Sequence, residues 1–364
     1  MVDPMTALQN RWYNGLIGSL PGLDATSFQI SQPCPPIIPT DEGLWAYANV
    51  IPPASLTFDR SLFADSFFGG YAAVTEQLVE PDDEDGELAK AIGEPDVQRW
   101  NAFLATLDPQ PPPSQLPVTF RNWAMLAAPN VMNQGASALA RMNLLAAALN
   151  VIKSYQGPNP RPADFNMQYG DVLQFVGNSA GASVSVSGRT SADVEGTWAG
   201  GDQSGVQGLW PQSGLHGRLS TLFASGEVTV EARFQHFGIW VSSPGSWYQS
   251  WLLQSAYSST GMPVWEAAFG DDGFLRRFLA SLVVVDGVQA IVTSNAAYSE
   301  PDRHAILGNA EKGLWPFYAP TGDGVTNSVA FGTGGGMTIR IGTEAGKPLV
   351  LGGVVLGVAR YLGQ

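Results

Sequence analysis

The sequence is poor in the residues that most often announce chemistry. It has one cysteine and three histidines, and only 14% of its 364 residues are charged. A single cysteine, Cys34, forms no internal disulfide, and Cys34-Pro35-Pro36 has no metal-ligand spacing. His216, His236 and His304 do not pair at the short spacing of zinc sites, so neither a metal nor a cofactor is predicted. Basic residues are also scarce. The formal net charge of −14 repels phosphate backbones and excludes nucleic acid as a favoured partner.

Long apolar runs are missing too. The most apolar tail, 348–362, is broken by glycine and is shorter than the about 20 residues a spanning helix needs, so no membrane span is predicted. The stretch 1–15 mixes Asp3, Gln9, Asn10 and Arg11 with apolar residues, unlike the order of a secretory signal, and no Asn-x-Ser/Thr acceptor occurs. These features predict a soluble, cytoplasmic protein.

What is present is a large apolar fraction, 45%, punctuated by 42 glycines and 26 prolines, which predicts a compact chain with many turns and short strands. Prolines between 21 and 53 argue for an irregular arm, after a short helix around 6–17. The spacing of Val97, Trp100, Phe103, Leu104 and Leu107 predicts a helix over 96–107. Leu139, Met142, Leu145, Leu149 and Ile152 predict a second over 137–155, capped by Ser137 and stopped by Gly157-Pro158. The acidic block 81–87 does not alternate as a calcium loop does and reads as a solvated loop.

Beyond residue 163 the composition shifts towards Ser, Thr, Val, Gly and aromatics. Alternation over 227–241 predicts a half-buried strand with Val228, Val230, Ala232, Phe234, His236 and Trp240 on one face. Asp286-Gly287 between two apolar runs predicts a tight hairpin turn. Further strands are expected at 325–331, 337–341 and 349–359, and a short helix at 273–280. The fold class expected is therefore α+β. A Pro-rich arm and helical portion, 1–163, precede a Trp-rich domain, 164–364, of mainly antiparallel strands packed as a sandwich or barrel-like core.

Two chemical readings compete with a third, structural one. Gly177-Asn178-Ser179-Ala180-Gly181 fits the G-x-S-x-G nucleophile elbow, and Ser179, Asp286 and His304 follow in hydrolase order, with Asp271, Asp272 and Asp302 as other acids. The alternating stretch 182–187 argues against it, because the elbow requires a helix after the serine. Glycine-rich 332–336 and 342–348 lack the spacing of nucleotide-binding loops. The favoured reading is a binding protein for a neutral sugar or hydrophobic metabolite, held against Trp240, Trp247, Tyr248 or Trp251. The third reading is a homo-oligomer or self-assembling protein that uses the apolar segment 349–362.

Overall fold

A computed structural model of the chain describes residues 3–52, 56, 66–78, 86–187, 208–214 and 217–363. The protein is α+β, with helices concentrated towards the N-terminus and an antiparallel seven-stranded sheet built mostly from C-terminal sequence. The chain divides into two compact units. One gathers Met1–Phe67, Asp164–Gly245 and Arg277–Gln364, and the other Phe68–Ala163 and Ser246–Arg276.

The second of these units is helical. Its helices include Gly86–Ile92, Glu94–Leu104, Leu116–Ala127 and Met132–Gln156. Trp100 is the centre of one cluster, with the Phe120 ring 5.0 Å and the Trp123 ring 5.4 Å away. The helix at 132–156 starts earlier than its sequence pattern suggests, so Ser137 is an interior residue and not its cap. The segment Pro129–Gln156 is long and apolar enough to cross a membrane by length and composition. Its buried stripe of Leu139, Leu145 and Ile152 is equally that of a core helix. A second cluster forms around Trp247, whose ring meets Phe68 at 5.1 Å and Tyr71 at 5.5 Å.

The first unit carries the sheet. Its strands are β1 (Phe28–Ile30), β2 (Ala182–Val186), β3 (Val228–Val241), β4 (Arg277–Ser294), β5 (Val325–Phe331), β6 (Met337–Thr343) and β7 (Leu349–Gly357). The sheet is open. The order β1-β7-β4-β3-β2 forms its main path, with β6 also on β4 and β5 on β6. All pairs are antiparallel. Trp12 from the helix Pro4–Ser19 meets Trp315 and Phe317 edge-on, at 6.4 and 5.7 Å, in the main core. Asp3 caps that helix by accepting from the Met5 and Thr6 N–H groups.

The centre of the sheet corrects two sequence expectations. Asp286-Gly287 is not a hairpin turn, because β4 runs through it unbroken and stays paired with β3 from Val228↔Ser294 to Val241↔Ser281. The short helix expected at 273–280 is likewise replaced from Arg277 by this strand. What the Asp-Gly pair does is serve a change of partner. One edge of β4 pairs with β7 up to Val285↔Leu349 and with β6 from Gln289↔Gly342. Asp286 accepts the Gly346 N–H at 3.0 Å, and the Thr343 hydroxyl accepts the Val288 N–H at 2.8 Å, so the β6–β7 connection is fastened there.

The positive φ that a tight turn would need is therefore used inside a strand. Gly287 has φ +60°, and a Cβ on it would lie 2.6 Å from Gln235 Cβ. At the same place both strands reverse the side they turn to the core. On β3 the core residues are Val230, Ala232 and Phe234, then Phe237; on β4 they are Val283 and Val285, then Val288 and Ala290. The one-face assignment from Val228 through Trp240 thus fails beyond Phe234. Gly238 and Trp240 fall on the opposite side, which the helix Tyr169–Gly177 covers.

Candidate functional site

The helix Tyr169–Gly177 fixes one wall of the site. The Asp41 carboxylate accepts the Tyr169 N–H at 2.7 Å, and Asp171 places a negative charge in the first turn, where the helix dipole favours it. Val172 and Val176, one turn apart, are buried. Phe175 lies off that stripe and rests over Gly238, where a Cβ would come within 2.5 Å of its ring. Glycine at 238 is what lets the ring pack this close to β3.

The result is an open groove of about 460 Å³ lined by Asp171, Gln174, Phe175, Asn178, Ser179 and Trp240. Phe175 is 37% exposed, and its ring meets the half-buried Trp240 edge-to-face, with centroids 5.0 Å apart at 70°. Aromatic pairs of this geometry are held by quadrupole complementarity as well as by burial. Trp240 Nε1–H is buried and has no acceptor among the described residues. The rim is polar but carries a single formal charge, on Asp171.

Next to the groove lies a polar group centred on the strand reversal. His236 Nδ1 lies 2.9 Å from the Ser179 carbonyl oxygen; a carbonyl only accepts, so the ring donates from Nδ1. Asp286 stands opposite His236 and is 5% exposed; its Oδ2 accepts from Gly346, while its Oδ1 is buried without a partner among the described residues. Burial, and then the Asp286 charge, raise the Tyr169 phenol above its ordinary value.

The serine relay expected from the G-x-S-x-G pattern is not assembled. Ser179 Oγ donates to the Phe175 carbonyl at 2.8 Å, back into its own helix. His304 Nδ1 is taken by the Glu300 carbonyl at 2.9 Å, within the helix Glu300–Leu307. Among the described residues no hydrogen bond joins Ser179, His304 and Asp286 to one another. The local order explains this: the apolar run before Ser179 is a helix and the run after it is β2, the reverse of a nucleophile elbow. Asp302 hydrogen-bonds the Ser299 backbone in a capping box and pairs with Arg218. His216 and the acidic residues 81–85 lie outside the described residues.

The four aromatic candidates separate in the same way. Trp247 is 0% exposed, and the Tyr248 ring at 6.0 Å joins Phe68 and Tyr71 around it, so no ligand can stack on it. Tyr248 is half-buried, 5.2 Å from the Tyr71 ring, and the Tyr71 hydroxyl accepts the Gln249 N–H. Trp251 is half-buried in the first turn of the helix Ser250–Ser258. These three belong to the helical unit, and only Trp240 belongs to the sheet unit. Phe175, Asp171, Gln174 and Asn178 had been passed over. The available signal was a bulky aromatic out of phase with the Val172/Val176 stripe.

No protein-family model, curated protein or solved structure matches the chain. Function is therefore argued from the geometry of the site alone.

Proposed function

We propose that the groove beside Phe175 and Trp240 binds a neutral, hydroxyl-rich small molecule of the sugar type. The observation that carries this reading is the edge-to-face Phe175–Trp240 pair, partly open to solvent inside a polar rim. A sugar ring has one face of C–H groups, which an aromatic surface desolvates, and a perimeter of hydroxyls, which need donors and acceptors. Gln174 and Asn178 supply both, Ser179 supplies a hydroxyl, and Asp171 is a strong acceptor. The net charge of −14 disfavours anionic ligands over neutral ones.

Calorimetric titration of the full chain with neutral mono- and oligosaccharides tests the proposal. The expected result is saturable binding whose affinity W240A and F175A each lower about tenfold or more. Absence of heat and of tryptophan fluorescence change across the panel rejects the sugar. Binding unweakened in both variants rejects the groove.

A further inference from the structure

We propose that β2 is the seam of a two-fold dimer, in which it pairs antiparallel with β2 of a second copy. The proposal is independent of the sugar reading. Among the described residues β2 is a terminal strand of the sheet, paired only with β3. Natural edges are normally blunted by charge, proline, bulges or shortness. The other two edges show such protection. β1 is only 3 residues long. β5 is flanked by a Gly322↔Val325 bridge, and the Asn327 side chain donates to Ala319 O and Thr321 Oγ1. β2 and the residue after it, Ala182 to Ser187, contain no charge, no proline and no glycine.

The occupant is specified by the sequence of the strand itself. Ser183-Val184-Ser185-Val186-Ser187 reads the same in both directions. Antiparallel pairing about a two-fold axis at Ser185 sets Ser183 opposite Ser187, Val184 opposite Val186 and Ser185 opposite itself. The faces also agree. Val184 and Val186 are buried, and the Gly15 Cβ position on the helix Pro4–Ser19 comes within 3.3 Å of Val184 Cγ1, while Ser183, Ser185 and Ser187 are exposed. Pairing β2 with its own copy therefore continues both the buried and the solvated side of the sheet across the seam. A self-complementary patch of this kind is what an isologous contact requires. The seam is short beside the roughly 1,200–2,000 Å² of a standard interface, so the dimer is weak and dependent on concentration. Two copies of an acidic chain repel, so salt strengthens it.

Sedimentation velocity of the full chain from low micromolar concentration upward is the primary test. The expected result is a mass that rises from 38.6 kDa towards twice that value, and further at higher salt. S185D places two carboxylates face to face on the axis and weakens association about tenfold. S185C forms a covalent dimer on mild oxidation, and S328C on the β5 edge does not; Cys34 is buried and does not compete. A mass of 38.6 kDa at every concentration with no S185C dimer overturns the seam. So does equal cross-linking by S328C. If S185D fails to fold, the two cysteine variants decide the matter alone.

Discussion

His236 stands directly across from Asp286 at the one point where β3 and β4 both reverse the side they turn to the core. Through the Nδ1–H bond to the Ser179 carbonyl, the same histidine holds the chain as it leaves the helix that carries Phe175. The reversal and the groove are therefore one construction. A sheet that alternated regularly would turn Trp240 towards the core that takes Phe234, and Phe175 would have no aromatic neighbour.

The reversal requires Gly287. An alanine there meets Gln235 Cβ at 2.6 Å and is held at φ +60°. G287A is expected to destabilise the chain by about 1–3 kcal/mol, read as a lower urea midpoint with unchanged slope. An unaltered midpoint would mean that the strand crosses this position without the strained conformation.

The groove and the core separate by mutation. F175A removes a ring that is 37% exposed, costs about 1 kcal/mol or less, and lowers sugar affinity about tenfold or more. W247A empties a site that is 0% exposed, costs about 3–5 kcal/mol, and leaves affinity unchanged in whatever fraction stays folded. Thermal denaturation paired with calorimetry reads both quantities. The opposite pattern would place the ligand at Trp247.

Asp302 gives a pH dependence with a definite sign. Hydrogen bonds from Arg218 and then from Ser299 hold its carboxyl at about 2, against an ordinary value of 3.8. A depressed folded-state value stabilises above the unfolded value and is lost as pH falls through the folded one. The Asp302 contribution is thus complete above about pH 4 and declines towards pH 2. In D302N the stability lost between pH 5 and pH 2 is smaller than in the wild type, as measured by urea midpoints along that range. Identical profiles would show that the Arg218 pair contributes nothing in solution.

Cys34 is fully buried, and burial pushes its thiol well above the ordinary range. It is expected to resist a thiol reagent in the native state and to react with one equivalent in denaturant. Rapid native labelling would show that the segment around Ser31 and Pro33 opens readily.

Much of the fold was legible in the sequence because periodicity is a local property. The stripe from Leu139 to Ile152 marks a real helix, alternation marks β3, and the strands expected at 325–331, 337–341 and 349–359 are β5, β6 and β7. Asp286-Gly287 misled because an Asp-Gly pair signals positive φ without saying what the bend is for. Here it lets β4 trade β7 for β6, an event set by residues some sixty positions away. The run 172–176 is uninformative for another reason: a short apolar stretch has no period of its own, and only the position of Gly238 on β3 shows why Phe175 is out of phase. The segment 349–362 was read as surface for association. Most of it is β7, which is largely buried between β1 and β4. Of the site, Trp240 was visible as one of many tryptophans, and its partner Phe175 was not, since nothing local links residues 175 and 240.

β1 pairs through Phe28↔Val354, Gln29↔Gly353 and Ile30↔Gly352 with a strand that lies almost at the other end of the chain. On the ribosome, β1 must wait for β7. Until residues 349–357 emerge, one edge of β4 is unpaired along half its length, and the apolar side chains of Phe28 and Ile30 have no sheet to join. The sheet unit then completes only once residues 349–357 have been made, as expected for a topology rich in distant contacts. A chain that stops short of residue 349 would release a nascent protein with β1 cut off from the sheet and the β4 edge bare from Arg277 to Val285. Such a product is a substrate for chaperones and proteases; it is not a shorter working version.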